Sequence, residues 1–351
     1  MNTKKKEYIH ALRYSILYLI FLSFATLSAC GIKEREPITK TGFFFDTVVQ
    51  ITLYDDTKEP LIDDCFAMAG RYEHLFSKTI EGSDVYKLNH AEGNAVTVSE
   101  DTISLLHIGL SYCEKSGGSF DITIGALTEL WDIANNPGII PTEAEITEAL
   151  SGISYKSISI NDREVTLTNP DTMLDLGGIA KGYIADRMKE YLNENGVCEG
   201  YINLGGNLLM LGPKSDGKPY VIGIQRPFSP DGTPMFTLDV TEGTVVTSGI
   251  YERYFEKDGR IYHHILNPSD GYPYDNGLVS VTILCPNSVD GDALSTACFS
   301  LGPKAGLTLI EELPDTEAIF ITEDYELLTS SGVGTTVPYT LPEVSENAGN
   351  P

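Results

Sequence analysis

Cysteine is scarce and unpatterned in this chain. There are six in 351 residues, and none stand in C-x-x-C spacing. Beyond Cys30 an odd set remains, Cys65, Cys113, Cys198, Cys285 and Cys298, which excludes a full disulfide framework. Positive charge is also short: 24 Lys and Arg face 50 Asp and Glu, for a net charge of −26. The first 29 residues hold Lys4, Lys5, Lys6 and Arg13 against Glu7, so the remainder carries −29. A body this acidic does not attract nucleic acid or anionic lipid through its general field. Any phosphate ligand must be held by local devices: backbone N–H groups, a metal ion or a few placed cations. Internal repeats and low-complexity tracts are missing, as is a second apolar stretch long enough to span a bilayer. With 42% hydrophobic and 21% charged residues, the chain reads as globular, of a length suited to one large domain or two modest ones.

The N-terminus has the layout of a secretion signal. Lys4 to Lys6 give a positive start, an apolar run covers 14–27, and Leu27-Ser28-Ala29-Cys30 closes it. An uncleaved membrane anchor is the alternative, but the run is short for a span and ends in small residues. The four closing residues resemble the lipobox of bacterial lipoproteins. That resemblance implies cleavage before Cys30, a lipid on its sulfur, and an exported protein held on the outer, or periplasmic, face of the cytoplasmic membrane. The expected organisation is a signal peptide over 1–29, a polar tether over 30–41, one catalytic domain over 42–340 and a flexible tail over 341–351.

Local patterns predict the elements. Val48 to Tyr54 is β-branched and aromatic, hence a strand. Pro60 opens a helix whose apolar stripe is Leu61, Cys65, Met68, Tyr72, Leu75 and Phe76. Ser99 caps a second helix, with Ile103, Leu106, Leu110 and Cys113 inward and Gly117-Gly118 as its stop. Cys65 and Cys113 therefore read as small core residues. Residues 156–168 form a hairpin turning at Asn161-Asp162. A third helix runs from Ile179 to Asn193 with Ile184, Met188 and Tyr191 or Leu192 inward, ending at Gly196. Strands follow near 200–204, 219–225, 235–239, 244–247, 261–266 and 279–285. A helix after Asp292 breaks at Gly302-Pro303, and a helix over 304–313 and a strand over 317–321 complete the set. Strands and helices do not alternate strictly, so the fold class is α+β, with mixed or antiparallel sheets and packed helices.

Four segments carry candidate chemistry. Asp175-Leu-Gly-Gly-Ile-Ala-Lys181-Gly ends a strand at an acid, turns on two glycines and starts a helix. The glycines permit close approach of a ligand, and the helix start offers N–H groups to an anion. Lys181 in the first turn opposes the helix dipole but is placed to meet a phosphate. An ordinary tight turn would look the same. In Asp290-Gly-Asp292-Ala-Leu-Ser-Thr296, Asp292 and Thr296 are four apart and share a helix face. Carboxylate and hydroxyl oxygens suit a hard cation such as Mg2+, whereas simple helix capping is the plainer use. His263 and His264 fall on a predicted strand and so point to opposite faces, one of them able to face a pocket. Ser116 through Gly125 is a loop of small residues, an aromatic and an acid that could hold a flat ring.

Taken in order, these segments resemble the FAD:protein FMN transferase (ApbE-like) family. The matching stretches are Leu75-Phe76-Ser77 with Ser83-Asp84-Val85 and Leu88-Asn89; Ser116 through Gly125 with Leu130-Trp131; Asp175 through Tyr183; Asn203-Leu-Gly-Gly206; Thr247-Ser-Gly249; His264 through Pro268 with Gly271; and Asp292 through Ala297. They span about residues 42–302. The resemblance implies a T-fold-like architecture. It implies that Asp292 and Thr296 hold Mg2+ through their side chains and Gly178 through its carbonyl. Asp175, Lys181, Ser119, Phe120, Asp121 and Ile265 match FAD contacts, and His264 matches a histidine linked to activity. Phe45 stands where relatives often carry Met in a flavin contact, and Asn267 where Asp is frequent.

The implied reaction is attack by a Thr or Ser hydroxyl of an acceptor protein, such as a membrane redox subunit, on the FMN-side phosphorus of FAD, with AMP leaving. Charge moves among phosphate oxygens, where Mg2+ and the helix-start amides of 178–180 would offset it. His264 or a nearby carboxylate would take the hydroxyl proton. Two alternatives remain: a FAD pyrophosphatase giving FMN and AMP, and a lipoprotein that binds flavin without catalysis.

Overall fold

A computed structural model describes residues 37–229 and 232–341. The expected signal peptide, Cys30 and the tail beyond Leu341 lie outside the described residues. The first hairpin joins β1 (Ile38–Phe44) to β2 (Thr47–Leu53). The chain is thus already a strand within the segment expected as tether, because Ile38 packs on the core and Thr39 bonds Thr52 across the pair at 2.8 Å.

The helices follow their local signals closely. α1 (Glu59–Phe76) carries Pro60 in its first turn, where a missing N–H costs nothing. It buries Ile62, Cys65, Ala69 and Phe76, with Leu61, Met68, Tyr72 and Leu75 as half-buried flanks. The short α2 (Asp84–Asn89) precedes β3 (Val96–Thr97). α3 (Glu100–Lys115) is capped by Ser99 Oγ, which accepts from Thr102 N at 3.1 Å. Its inward face is Leu105, Leu106, Gly109, Tyr112 and Cys113, rotated from the expected stripe so that Ile103 and Leu110 only flank it. α4 (Gly125–Trp131) and α5 (Glu143–Ser151) come next, then the hairpin of β4 (Ile158–Asn161) and β5 (Glu164–Leu167), whose turn places Asp162 at φ +53°. α6 (Ala180–Glu194) buries Ile184, Met188 and Leu192.

The remaining strands are β6 (Gly200–Leu204), β7 (Asn207–Gly212), β8 (Tyr220–Gln225), β9 (Pro234–Val240), β10 (Thr244–Gly249), β11 (Tyr254–Lys257), β12 (Arg260–His263) and β13 (Leu278–Cys285). After α7 (Ser288–Glu311) come β14 (Glu317–Thr322), β15 (Leu327–Thr329) and β16 (Tyr339–Thr340). Inside α7, Gly302 leaves helical geometry at φ 77°, a conformation glycine adopts freely, and Pro303 restarts the helix where its missing N–H is harmless. The expected break at this dipeptide is therefore present.

One antiparallel sheet organises the molecule, in the order β1-β2-β6-β7-β10-β13-β14-β15. Both its faces are covered, which is why β13 is buried at every position. Period-2 alternation sorts the side chains. Val281, Ile283, Ala318 and Phe320 face the core shared with the long helices, while Leu284, Ile319 and Ile321 face a second core under β8 and β9. α7 is apolar on most of its circumference, with Val289, Ala293, Leu294, Ala297 and Phe299 buried, as expected of a helix enclosed between a sheet and other helices. A satellite cluster of Leu127, Trp131, Phe255 and Tyr262 supports the loops near 266–273, where Trp131 Nε1 donates to the Gly271 carbonyl at 2.7 Å. The fold is α+β with antiparallel sheets, as the sequence predicts. All five cysteines of the described residues are free thiols, four of them buried.

Candidate functional site

The start of α7 sets the centre of the site. The sequence suggests a helix opening near Asp290 or Asp292, but it begins at Ser288, a turn earlier. Asn287 makes no capping bond with its side chain. The cap comes from α6 instead: the Asp186 carboxylate accepts from Ser288 N and Val289 N, both at 2.9 Å. Burial pushes that carboxyl up to about 6, against the pull of the two amides. Asp290 is occupied by Tyr112 Oη at 2.7 Å and Asn287 Nδ2 at 2.9 Å.

Asp292 is therefore released from capping. It is 3% exposed, and its Oδ2 accepts from Gly182 N at 2.6 Å while Oδ1 accepts from Asn207 Nδ2 at 3.0 Å. Lys181 Nζ stands 3.8 Å from Oδ2. One helical turn on, Thr296 Oγ1 lies 3.3 Å from Ser248 Oγ, which also bonds Ser295 at 2.8 Å. The Gly-Gly turn closes on the same place. A Cβ placed on Gly178 would sit 3.1 Å from the Phe120 ring and 3.9 Å from Thr296 Oγ1. Gly178, Phe120, Lys181, Asp292 and Thr296 thus converge from separate parts of the chain.

The helix start of α6 behaves differently from expectation. The amides of Ile179 and Ala180 both donate to the Leu176 carbonyl, at 3.0 and 2.9 Å, and Gly182 N is bound to Asp292. The amides of 179 and 180 are thus engaged, and Lys181 is the positive group at this helix start. Its Nζ donates to Gly177 O at 3.3 Å. Asp175 orders the turn: Oδ1 accepts from Gly177 N at 2.9 Å, and Oδ2 from Lys78 Nζ at 2.9 Å and Thr128 Oγ1 at 2.7 Å. Burial would raise this carboxyl, but the Lys78 charge and these hydrogen bonds hold it below the usual range. Sequence reasoning missed Lys78, although it directly follows the Leu75-Phe76-Ser77 stretch.

Asp121 turns inward rather than toward the site. Its oxygens accept from Thr123 N at 2.8 Å, Thr123 Oγ1 at 2.6 Å and Tyr155 N at 3.0 Å, and burial raises its pKa. Its work is to fold the loop that carries Ser119 and Phe120. The Ser119 carbonyl accepts from Tyr274 Oη at 2.9 Å. Ile265 is buried and bonds Tyr274 through its carbonyl at 3.1 Å. Phe45 sits at the turn of the first hairpin, at φ +54°, its N–H bound to Glu73 at 2.8 Å. Asn267 is a turn former: its Oδ1 accepts from Ser269 N and Oγ, and its Nδ2 donates to Asp270.

The two histidines differ as their settings require. β12 ends at His263, so His264 lies just past it, although the expected strand runs to 266. His263 is buried, with Nε2 donating to Tyr274 O at 2.9 Å and Nδ1 accepting from Ile265 N at 3.3 Å. It is a satisfied core histidine, driven down to about 4 chiefly by burial. His264 is half-buried. Its Nδ1 lies 3.2 Å from the Arg253 carbonyl. A carbonyl only accepts, so Nδ1 holds the proton and Nε2 keeps a lone pair. Burial first, then the neighbouring His263 ring and the charges of Arg253 and Lys181, lowers His264 to about 3.

Among the described residues, no group of three or more His, Cys, Asp or Glu side chains could hold a metal ion. Asp292, Thr296 and Gly178 offer instead an all-oxygen set with one carboxylate. The donor chemistry fits Mg2+, provided that water or phosphate oxygens supply the other ligands.

A family model described as the ApbE family matches residues 45–320. A protein named FAD:protein FMN transferase from Klebsiella pneumoniae (strain 342) is 38% identical over 276 residues, covering 78% of this chain and 85% of its own length. One of the same name from Treponema pallidum (strain Nichols) is 31% identical over 330 residues, covering 88% and 91%. Among solved structures, the ApbE protein of Thermotoga maritima superposes with a TM-score of 0.78 at 33% identity, over 84% of this chain and 97% of that one. The flavin transferase ApbE from Vibrio cholerae gives 0.76 over 84% and 97%, and at 24% identity its likeness is one of fold.

Proposed function

The chain belongs to the ApbE family, and from that premise we propose that it transfers the FMN half of FAD to a Thr or Ser hydroxyl of an acceptor protein, releasing AMP in a Mg2+-dependent reaction. The observation that carries the reading is the convergence of Asp292, Thr296, Lys181 and the Gly178 turn, with Thr296 Oγ1 3.9 Å from the Gly178 Cβ position. Nothing in local folding requires these groups to meet, and together they form the local device that a diphosphate needs in so acidic a protein.

Asp292, Thr296 and the Gly178 carbonyl would hold the metal. When bound, Mg2+ would neutralise charge on the phosphates and hold them in line for displacement. The chain's own residues do the rest. Lys181 supplies a fixed positive charge beside Asp292. The Phe120 ring, set by the Asp121 loop, offers an apolar wall for a flat ring. His264 presents a neutral Nε2 that would take the proton of the attacking hydroxyl. Its low basicity in the free chain comes from burial and from the charges of Arg253 and Lys181, and a bound diphosphate opposes the second cause directly. We further read Cys30 as a lipid-bearing residue that holds an exported enzyme at the membrane, where membrane redox subunits would serve as acceptors.

The test incubates the full chain in detergent with FAD, Mg2+ and candidate acceptor subunits, and looks for covalent flavin fluorescence on a denaturing gel. Labelling that Asp292→Ala and Thr296→Val abolish is the expected result. Rapid FMN release without acceptor would point to hydrolysis instead. FAD binding and turnover that Asp292→Ala leaves unchanged would remove the catalytic reading.

A further inference from the structure

We infer that Asn207, its amide oxygen satisfied by Ser288, is a positioning residue that aims the Asp292 carboxylate. The inference rests on the reading of Asp292 as a cation-holding group.

Asn207 begins β7, directly after the Gly205-Gly206 turn, and is fully buried. Its β-sheet partners are Leu204 and Val246, so packing alone would favour an apolar residue. A buried amide must satisfy both of its ends, and here the ends are told apart by chemistry. Asp292 Oδ1, 3.0 Å away, accepts, so the amide nitrogen must face it. The amide oxygen then faces Ser288 Oγ at 2.5 Å, so the serine must donate. Ser288 is itself fully buried and anchored through its backbone N–H by Asp186. A flipped amide would set its oxygen against the Asp292 carboxylate, two acceptors facing each other, and the Ser288 hydroxyl turns to satisfy the amide oxygen that remains. The Ser288–Asn207–Asp292 chain therefore has one arrangement.

Its effect is on direction. Gly182 N grips Oδ2 at 2.6 Å and Asn207 grips Oδ1 at 3.0 Å. With each oxygen tethered by one donor, the carboxylate plane is fixed at two points, while Lys181 Nζ stands 3.8 Å from Oδ2. Removing the Asn207 donor leaves Gly182 as a single pivot. An oxygen ligand free to swing binds a cation that demands strict geometry less well, because its orientation must be frozen on binding.

The test uses full-length chains in detergent carrying Asn207→Leu, which keeps the side-chain shape and removes both bonds, or Ser288→Ala, which removes only the donor to the amide oxygen. Two quantities are read: the Mg2+ concentration for half-maximal FMN release or transfer, and the Mg2+ concentration that half-saturates the change in bound-FAD fluorescence. Melting temperature and FAD affinity in EDTA are measured alongside. The expected result is a rise of about tenfold in both Mg2+ midpoints for Asn207→Leu, the loss of one hydrogen bond to a charged group. Ser288→Ala should give a smaller rise, with FAD affinity in EDTA unchanged for both. Lowered melting temperatures with unmoved Mg2+ midpoints would assign the pair to packing and overturn the inference. Asp292→Ala separates this failure from a deeper one. Should Asp292→Ala also leave the midpoints in place, the cation-holding reading itself falls; should it alone move them, only the aiming role does.

Discussion

Gly182→Ala is the sharpest single perturbation of the link between fold and site. A Cβ at Gly182 would lie 2.2 Å from the Ser288 carbonyl oxygen, 2.5 Å from its carbon and 2.6 Å from Val289 Cα. All three are backbone atoms of the first turn of α7 and cannot rotate away. Ordinary contact begins near 3.4 Å, so α6 and α7 must separate by about 1 Å. Overpacking of this kind costs about 1–3 kcal/mol. The separation also stretches the 2.6 Å bond from Gly182 N to Asp292, and weakening a hydrogen bond to a charged group costs roughly 1.5–3 kcal/mol more. The two together, roughly 2.5–6 kcal/mol, correspond to a melting temperature lower by about 4–9 °C in a chain of this size. A 1 Å displacement of Asp292 should slow flavin transfer by about a hundredfold. Differential scanning calorimetry and an in-gel flavin assay read the two effects. Gly70→Ala in α1 is the control, since its Cβ would meet only the Phe44 ring at 3.9 Å. A helix-interior alanine there should stabilise the chain by up to about 1 kcal/mol. If Gly182→Ala melted within 2 °C of the parent and transferred flavin within about threefold of its rate, the close approach of the two helices would not be what holds Asp292 in place.

Two further outcomes follow from groups described above. His263 is held down to about 4 in the folded chain against an ordinary 6.5. As pH falls below 6.5, the unfolded chain takes up a proton that the folded one refuses, so His263 contributes stability fully present above 6.5 and lost toward pH 4. The linkage is worth about 1.4 kcal/mol per pH unit. Urea unfolding at pH 6.5 and 5 should show roughly 2 kcal/mol less loss in His263→Gln than in the parent, and equal losses would show that His263 does not titrate this way. For the N-terminus, mass spectrometry of the chain from membranes should find the segment before Cys30 removed and a diacylglyceryl group on Cys30, and Cys30→Ala should keep that segment uncleaved. An intact Lys4 to Leu27 segment on the parent chain, with no lipid on Cys30, would support the uncleaved anchor instead.

Features whose cause lies within a few residues were legible in the sequence. Pro60, the Ser99 cap, the Asn161-Asp162 turn and the Gly302-Pro303 break act through their own backbone, and each is where its pattern places it. α5 had such a signal too, since Thr142 and Glu145 form a capping box, yet the sequence reading passed over it. What stayed hidden was set by distant partners. β1 exists because β2 needs a neighbour on its open edge. The Asp175 cation lies 97 residues away at Lys78. The start of α7 is set from α6, through Asp186, 102 residues before Ser288. That last case explains the ambiguity over Asp292. An acid in the opening turn of a helix can cap it or serve another purpose, and the local sequence is the same for both. The choice is made by what the other elements supply: once Asp186 caps the helix from outside, and Gly182 and Asn207 offer donors one turn further in, the Asp292 carboxylate is withdrawn from the helix end and held where Thr296 and the Gly178 turn converge.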